Sequence, residues 1–214
     1  MSFPHLQNLF SHAYILGGSP CSGKSTIAEI LSAQYGFHYY KVDNHEYEHI
    51  QRSHADLQPI MFRYSKMSWN EIWSQSAEKL LADEMMYYHE RFPFIIDDLN
   101  QLKLEKPVIL EGAAFLPELI APFSVKPENI VFMIPTMDFQ LQHYSQRPWI
   151  QSILNECHDP KQAFENWMGR DSLFGEEVIH KANEFGFQII RVDGSVNIHT
   201  QLEAMQIQFG LKES

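Results

Sequence analysis

Residues 18–25, Gly-Ser-Pro-Cys-Ser-Gly-Lys-Ser, match the pattern G-x-x-x-x-G-K-[ST], and this segment constrains the fold more than any other part of the chain. An apolar run from Ala13 to Leu16 precedes it, and apolar residues at helical spacing follow before Gly36. The order strand, loop, helix is therefore predicted. In that geometry backbone N–H groups turn inward beside the positive end of the helix dipole, which makes a binding site for phosphate.

Each residue of the loop, together with the residue that follows it, is a candidate nucleotide ligand. These residues are Gly18, Ser19, Pro20, Cys21, Ser22, Gly23, Lys24, Ser25 and Thr26. Lys24 is expected to reach the β- and γ-phosphate oxygens, and the Ser25 hydroxyl is expected to ligate the Mg²⁺ that bridges them. ATP and Mg²⁺ are accordingly the predicted cofactors.

Composition narrows the classes of partner. A formal net charge of −11, without clustered Lys and Arg, argues against a nucleic-acid surface. The two cysteines, Cys21 and Cys157, are too few for a disulfide framework and favour a reducing compartment. No leader-like segment and no apolar stretch of membrane-spanning length is evident, so a cytoplasmic protein without a membrane partner is predicted. The oligomeric state stays open.

Five apolar or aromatic runs of strand length recur with helix-compatible sequence between most of them. They are Ala13 to Leu16, Phe37 to Val42, Val108 to Leu110, Ile130 to Ile134 and Phe187 to Val192. This arrangement predicts one α/β domain with a doubly wound, five-stranded parallel sheet. Ligands of such sheets bind at the carboxyl ends of the strands. Polar residues lie at or just after the ends of the last four runs, namely Asp43, Glu111, Thr136 and Asp193.

Two intervals are too long for simple crossovers. Residues 44–106 are rich in helix formers and aromatic residues and are predicted to form an inserted helical substrate lobe, which carries Arg52, Arg63 and Arg91. Residues 138–175 are predicted to form a closing lid. Two tryptophans lie one helical turn apart in the lobe, and helix packing is the favoured interpretation of that pair over stacking on a planar acceptor.

Four segments resemble those of P-loop kinases that act on small molecules and nucleoside monophosphates. They are residues 18–25, residues 108–112 (Val-Ile-Leu-Glu-Gly), residues 169–171 (Gly-Arg-Asp) and residues 189–195 (Ile-Ile-Arg-Val-Asp-Gly-Ser). The resemblance implies a nucleotide-kinase-like fold and transfer of the γ-phosphoryl group of ATP to a small-molecule acceptor.

The resemblance also implies roles on the strand-end rim. Asp43 would orient the acceptor hydroxyl and take its proton, although an N-cap for the helix near His45 is an alternative. Glu111 would hold the Mg²⁺ shell through water or contact the acceptor. Arg170 and Arg147 would reach the phosphates as the lid closes, although Arg147 is as readily explained as a solvated helix charge.

The same resemblance places Asp193 and Gly194 beside the nucleotide base, largely through backbone atoms. Monophosphate kinases usually carry several arginines in the lid and acceptor lobe, because two phosphate chains must be held together. This chain has six arginines in all. An uncharged hydroxyl on a nucleoside, sugar, antibiotic or other metabolite is therefore at least as plausible an acceptor as a nucleotide.

Two other functions remain open at this level. The chain could be an ATP-binding regulator or a degenerate kinase without small-molecule transfer. Residues 45–49 also match H-E-x-x-H, the helical motif of zinc metallohydrolases, through His45, Glu46 and His49. Eleven histidines make a chance match easy, and spacing identifies no third ligand.

Overall fold

A computed structural model describes residues 4–102, 106–123 and 125–211. Its centre is one sheet of five parallel strands in the order β2-β3-β1-β4-β5. The strands are β1 (Ala13–Gly17), β2 (His38–Lys41), β3 (Val108–Glu111), β4 (Ile130–Pro135) and β5 (Gln188–Val192). The predicted fold class is confirmed, and each strand falls within or next to its predicted run.

Eleven α-helices lie in the described part of the chain. They are α1 (Pro4–Ser11), α2 (Lys24–Tyr35), α3 (Glu46–Arg52), α4 (Pro59–Tyr64), α5 (Trp69–Trp73), α6 (Ala77–Gln101), α7 (Pro117–Ile120), α8 (Met137–Tyr144), α9 (Pro148–Leu154), α10 (Pro160–Glu184) and α11 (Ile198–Gln208). None combines the length and the hydropathy needed to cross a lipid bilayer.

Local sequence explains where the helices that frame the site begin and end. Gly36 takes a left-handed conformation with φ of 67°, which a glycine adopts without strain, and it ends α2. The 25-residue α10 begins with Pro160 in its first turn, and the Asp159 side chain accepts a hydrogen bond from the Gln162 backbone N–H. These signals fix the end of α2, just before β2 begins, and the start of α10.

Helices cover both faces of the sheet. One face packs against α1, α6 and α10 and includes Ile15, Leu110 and Phe132. The other packs against α2 and α11 and includes Leu16 and Val131. Burial on both faces accounts for the continuous apolar strands seen in the sequence.

A third apolar cluster joins the predicted substrate lobe to the predicted lid. Trp73 of α5 stacks on Trp167 of α10, with ring centroids 3.9 Å apart and an interplanar angle of 8°. α8 and α9 pack into the same cluster through Tyr144 and Ile150. The interval 138–175 ends inside the main core, because Phe174 of α10 is fully buried there. Lobe and lid therefore share a core, and one of the two lobe tryptophans is a packing residue.

Candidate active site

The loop of residues 18–25 has the backbone that its pattern predicts. Gly18, Cys21 and Gly23 have φ values of 107°, 66° and 86°. A methyl group on Gly18 would lie 2.3 Å from the carbonyl oxygen of Met133, so only glycine fits between β1 and β4. The N-terminus of α2 receives no side-chain cap from Gly23, which leaves its first N–H groups directed at the loop. The loop thus fits a bound phosphate chain.

A cavity of about 450 Å³ opens over this loop at the carboxyl ends of the strands. Residues 20–26 of the loop line it, whereas the buried Ser19 and Gly18 lie outside the lining. Its other chemically relevant lining residues are Asp43, Glu84, Glu111, Arg147, Trp149 and Arg170. The structure therefore brings together all five predicted catalytic residues.

Lys24 lies at the base of this cavity and is 6% exposed. Its Nζ donates a hydrogen bond to the Ser19 carbonyl oxygen at 2.6 Å. Burial lowers the pKa of Lys24, and the nearby carboxylates of Glu111 and Asp43 oppose that shift. An anion bound in the loop would oppose it further.

Glu111 and Ser25 line the same cavity. Glu111 ends β3, is 2% exposed and accepts a hydrogen bond from the Tyr39 hydroxyl at 2.9 Å. Burial and the neighbouring Glu111 carboxylate raise the pKa of Tyr39. A carboxylate and a hydroxyl, both hard oxygen donors beside a phosphate site, suit the few protein contacts that Mg²⁺ makes.

Asp43 lies in a 3-10 turn, Val42–His45, that follows β2. Its carboxylate is exposed and has no hydrogen-bond or ion-pair partner among the described residues. α3 begins at Glu46 with His45 as its N-cap, so Asp43 does not cap that helix. A methyl group on Gly112 would lie 2.0 Å from Val42 Cγ1, so glycine is needed for this turn to approach the end of β3.

A buried polar network holds the Val42–His45 turn in place. Arg91 is 1% exposed and donates through Nη2 to the Val42 carbonyl oxygen at 2.6 Å and through Nε to His49 Nδ1 at 3.1 Å. The other ring nitrogen of His49 donates to Asp98 Oδ2 at 2.7 Å. Burial lowers the pKa of His49, which keeps the ring neutral for this arrangement.

This network occupies the hydrogen-bond donors of Arg91 with protein atoms, and it bears on the zinc alternative raised by the sequence. Both ring nitrogens of His49 are occupied, so the H-E-x-x-H segment is unsuited to bind zinc. The described part of the chain also holds no group of three or more His, Cys, Asp or Glu residues arranged for a metal ion.

Arg170 lies on α10 and is already inside the site. Its Nη1 is 2.7 Å from Glu84 Oε1, and its Nε is 2.6 Å from Asp171 Oδ1. The guanidinium carbon lies 5.2 Å from the centroid of the Trp73 ring. Two carboxylates and a tryptophan hold Arg170 in the site in this structure, so it needs no lid movement to reach this position.

Glu84 is a site residue that the sequence analysis missed. It lies on α6 and contacts Arg170 and the Tyr88 hydroxyl, which donates to Oε1 at 3.1 Å. Its Oε2 is buried without a hydrogen-bond partner among the described residues. Burial raises the pKa of Glu84 to about 7, although Arg170 opposes the shift. Its position near the acidic and aromatic centre of α6 was the only sequence signal.

Replacing Glu84 with glutamine should change how stability depends on pH. The folded-state pKa is raised from 4.5 to about 7, so the proton binds the folded state more tightly and its stabilisation is lost as pH rises across that window. Relative to Glu84→Gln, the wild-type free energy of unfolding should fall by up to about 1.4 kcal/mol per pH unit. Urea unfolding between pH 5 and pH 8 measures this difference.

The matched control is Glu78→Gln, which changes an exposed carboxylate on the same helix. Its unfolding free energy should run parallel to that of the wild type above pH 5. Parallel curves for Glu84→Gln as well would contradict the raised pKa of Glu84.

Arg147 lies between the loop of residues 18–25 and another cavity, which we call the third cavity. Its Nη2 donates to Cys21 Sγ at 3.4 Å, and its guanidinium carbon lies 5.0 Å from the centroid of the Tyr144 ring. The third cavity, of about 320 Å³, is lined by Arg147, Phe139 and Gly194 among others. Arg147 thus lines two cavities and contacts the loop, and its predicted role on the phosphates stays a prediction.

The turn after β5 forms part of the same cavity. Gly194 has φ of 84° and lines it, and the place of Gly194 beside a nucleotide base stays a prediction. The Asp193 carboxylate accepts hydrogen bonds from the Ser195 backbone N–H and hydroxyl at 2.9 and 2.6 Å. Its side chain therefore shapes the turn and is absent from the cavity lining.

A further cavity of about 440 Å³ lies between α3, α4, α5 and α6, and we call it the acceptor cavity. Five residues line both the acceptor cavity and the cavity over the loop: Asp43, Glu46, Glu84, Tyr88 and Arg170. Trp69, 39% exposed, lines it as well, so this member of the tryptophan pair faces a cavity. The two cavities meet where Asp43, Glu84 and Arg170 converge.

No family model matches the chain, and no curated protein matches it in sequence. Two solved structures are similar along nearly the whole chain. One is a deoxyadenosine kinase from M. mycoides with bound dATP, at 15% identity and a TM-score of 0.47, covering 92% of this chain and 99% of that one. The other is a "putative kinase" from Chloroflexus aurantiacus, at 14% identity and a TM-score of 0.37, covering 92% of this chain and 97% of that one.

Proposed function

We propose that this protein is an ATP- and Mg²⁺-dependent kinase that transfers the γ-phosphoryl group to a hydroxyl of a small molecule. The observation that carries the proposal is the meeting of two cavities. One lies over a glycine-bearing loop and the other has aromatic walls. The border between them carries Asp43, whose carboxylate has no partner among the described residues, and the partly buried Arg170. Phosphoryl transfer needs this convergence of anion site, cation and base.

In the proposed reaction, the loop N–H groups and Lys24 hold the β- and γ-phosphates, and Arg147 adds positive charge at the transferring group. Arg170 would add more by exchanging one of its carboxylate contacts for the γ-phosphate. The acceptor hydroxyl oxygen forms a bond to the γ-phosphorus while the bond to the β,γ-bridging oxygen breaks, and ADP leaves with that oxygen. Asp43 takes the hydroxyl proton. Ser25 and, through water, Glu111 would hold Mg²⁺, which when bound neutralises charge on the phosphates.

The remaining elements complete the proposed complex. The third cavity, beside Gly194 and Phe139, would take the nucleotide base. Helices α3 to α6 would form the acceptor site, and the segment of α8 and α9, which carries Arg147 and the exposed Trp149, would close over the phosphates. Closure would exclude water, which otherwise competes with the acceptor for the phosphoryl group.

Two measurements test the proposal. Calorimetry with ATP and GTP, each with Mg²⁺, should detect binding of at least ATP. A metabolite panel assayed for ATP consumption should then contain acceptors that raise the rate above basal hydrolysis. Absence of any nucleotide binding contradicts the whole proposal, whereas binding without transfer to any panel member favours an ATP-binding regulator.

Replacing Asp43 with asparagine should lower turnover on the true acceptor about a hundredfold, at the low end of general-base effects because the transition state is loose. ATP affinity should change little, since the amide keeps the shape of the carboxylate. Steady-state kinetics and calorimetry separate the two effects. Asp56→Asn, an exposed carboxylate outside the cavities, is the control and should leave both unchanged. Equal losses of turnover and ATP affinity in Asp43→Asn would count against its role as base.

A further inference from the structure

We infer that the acceptor is an unphosphorylated hydroxyl compound that carries a positively charged nitrogen. The inference rests on the proposed kinase function and names the chemical class that the acceptor cavity can bind. Three properties of the cavity wall support it: its tyrosine hydroxyls already donate to carboxylates, its two arginines already have hydrogen-bond or ion-pair partners, and its remaining groups are mainly carboxylates and aromatic rings.

The tyrosine hydroxyls in the wall donate their hydrogen bonds to carboxylates. Tyr64 donates to Asp83 at 2.9 Å, Tyr87 donates to Glu46 at 2.8 Å, and Tyr88 donates to Glu84 at 3.1 Å. Ser65 donates instead to the Phe62 carbonyl oxygen at 2.8 Å. A ligand therefore meets few free donors on this wall and must itself supply the protons for hydrogen bonds.

The two arginines that line the cavity already have partners. Arg170 lies between Glu84 and Asp171, and Arg91 donates to His49 and to the Val42 carbonyl oxygen. A phosphate on the acceptor would have to displace a carboxylate from Arg170, or the His49 and Val42 acceptors from Arg91. It would also face Asp43 and Glu46, so binding of a phosphorylated acceptor is disfavoured.

The groups left for a ligand favour a cation. Four carboxylates line the cavity against two arginines: Asp43, Glu46, Asp83 and Glu84. Asp83 is neutralised by Lys79 and by Arg63, which lies 2.6 Å away, whereas the contact from Glu46 Oε2 to Arg91 Nη1 is 3.9 Å long. Glu46 is therefore the carboxylate placed to pair with a ligand ammonium, while Asp43 receives the hydroxyl.

The aromatic lining suits the same ligand. Tyr64 and Tyr87 meet edge to face with ring centroids 6.4 Å apart, and the partly exposed Trp69 completes the wall. Electron-rich ring faces attract cations, and the attraction grows where water is excluded. An amine close to Glu46 thus gains both a charged hydrogen bond and ring contacts.

The test uses three benzyl alcohols that differ only at the para position: 4-(aminomethyl)benzyl alcohol, 4-methylbenzyl alcohol and 4-(hydroxymethyl)phenyl phosphate. Dissociation constants are measured by NMR titration of the wild-type protein. We expect the amine to bind about tenfold more tightly than the methyl compound, and the phosphate to bind more weakly than both. Affinity of the amine, but not of the methyl compound, should fall with added salt.

Glu46→Gln should reduce the preference for the amine over the methyl compound to about twofold or less. Glu48→Gln, which changes an exposed carboxylate on the same helix but outside the cavity, should keep it. Melting curves establish that both variants are folded. Retention of the full preference in folded Glu46→Gln would remove Glu46 as its source and overturn the inference.

The binding comparison tests the acceptor class and the transfer assay tests the proposed function, so either can fail without the other. If the amine does not bind more tightly than the methyl compound, including the case in which neither binds measurably, or if the phosphate binds as well as the amine, the inference on the acceptor class is overturned. The proposed function survives that result when another panel member is phosphorylated, and it fails only when no nucleotide binds or no acceptor consumes ATP.

Discussion

Replacing Lys24 with alanine is expected to lower the turnover of phosphoryl transfer about a thousandfold, as observed when one preorganised donor to developing negative charge is removed. Lys24 is the one cation rooted in the loop itself, and its Nζ lies 2.6 Å from the Ser19 carbonyl oxygen. From there it can turn onto the phosphates without a large movement. Affinity for ATP should fall as well, because the same ammonium contacts the bound triphosphate.

Stopped-assay kinetics and calorimetry of Lys24→Ala measure the two losses separately. The matched control is Lys161→Ala, since the Lys161 side chain is 88% exposed in the first turn of α10 and lies in no cavity lining. It should retain wild-type turnover and affinity. If Lys24→Ala binds ATP as tightly as the wild type, neither a kinase nor a nucleotide-binding regulator describes this protein.

Replacing Arg91 with methionine is expected to destabilise the fold by about 3–5 kcal/mol, the cost of removing one partner from a buried charged network. The substitution keeps most of the side-chain volume, so the loss arises from the polar contacts. It would leave His49 Nδ1 and the Val42 carbonyl oxygen buried without their donors. The turn that carries Asp43 would lose its support at the same time.

Urea unfolding gives the stability change, provided that the slope against denaturant stays that of the wild type. Arg52→Met is the control: its guanidinium also pairs with carboxylates of α6, but its side chain is 40% exposed. It should cost less than about 1 kcal/mol, as exposed ion pairs do. Equal effects of the two substitutions would show that the Arg91 network adds no more stability than a surface contact.

The parts of the site that could be predicted from sequence are those set by local pattern and by sheet geometry. The loop of residues 18–25 and the five strands follow from short-range signals, namely glycine positions and apolar runs. The approach of Glu111 and Asp43 to the loop follows from topology, because parallel strands end at one edge of the sheet. No long-range contact had to be known for these predictions.

Other features of the site depend on contacts between residues far apart in the chain, and the sequence left these incomplete or open. Arg170 was expected on a moving lid, but α10 is one continuous helix whose second half packs in the core. Glu84 was missed because its role comes from Arg170, which lies on a different helix. The H-E-x-x-H motif matched in letters only, since Arg91 and Asp98 occupy both ring nitrogens of His49.

By itself, the sequence determined the fold class and the anion-binding loop, because periodicity, glycine conformation and helix dipoles act over a few residues. Only the tertiary structure decided which charges are free. Folding places Arg170 against two carboxylates and Arg91 against His49 and the Val42 carbonyl oxygen, and among the described residues it leaves Asp43 and one oxygen of Glu84 without partners. The ionisable groups available to a ligand are thus set by which buried pairs satisfy one another, and that pairing depends on contacts across the whole chain.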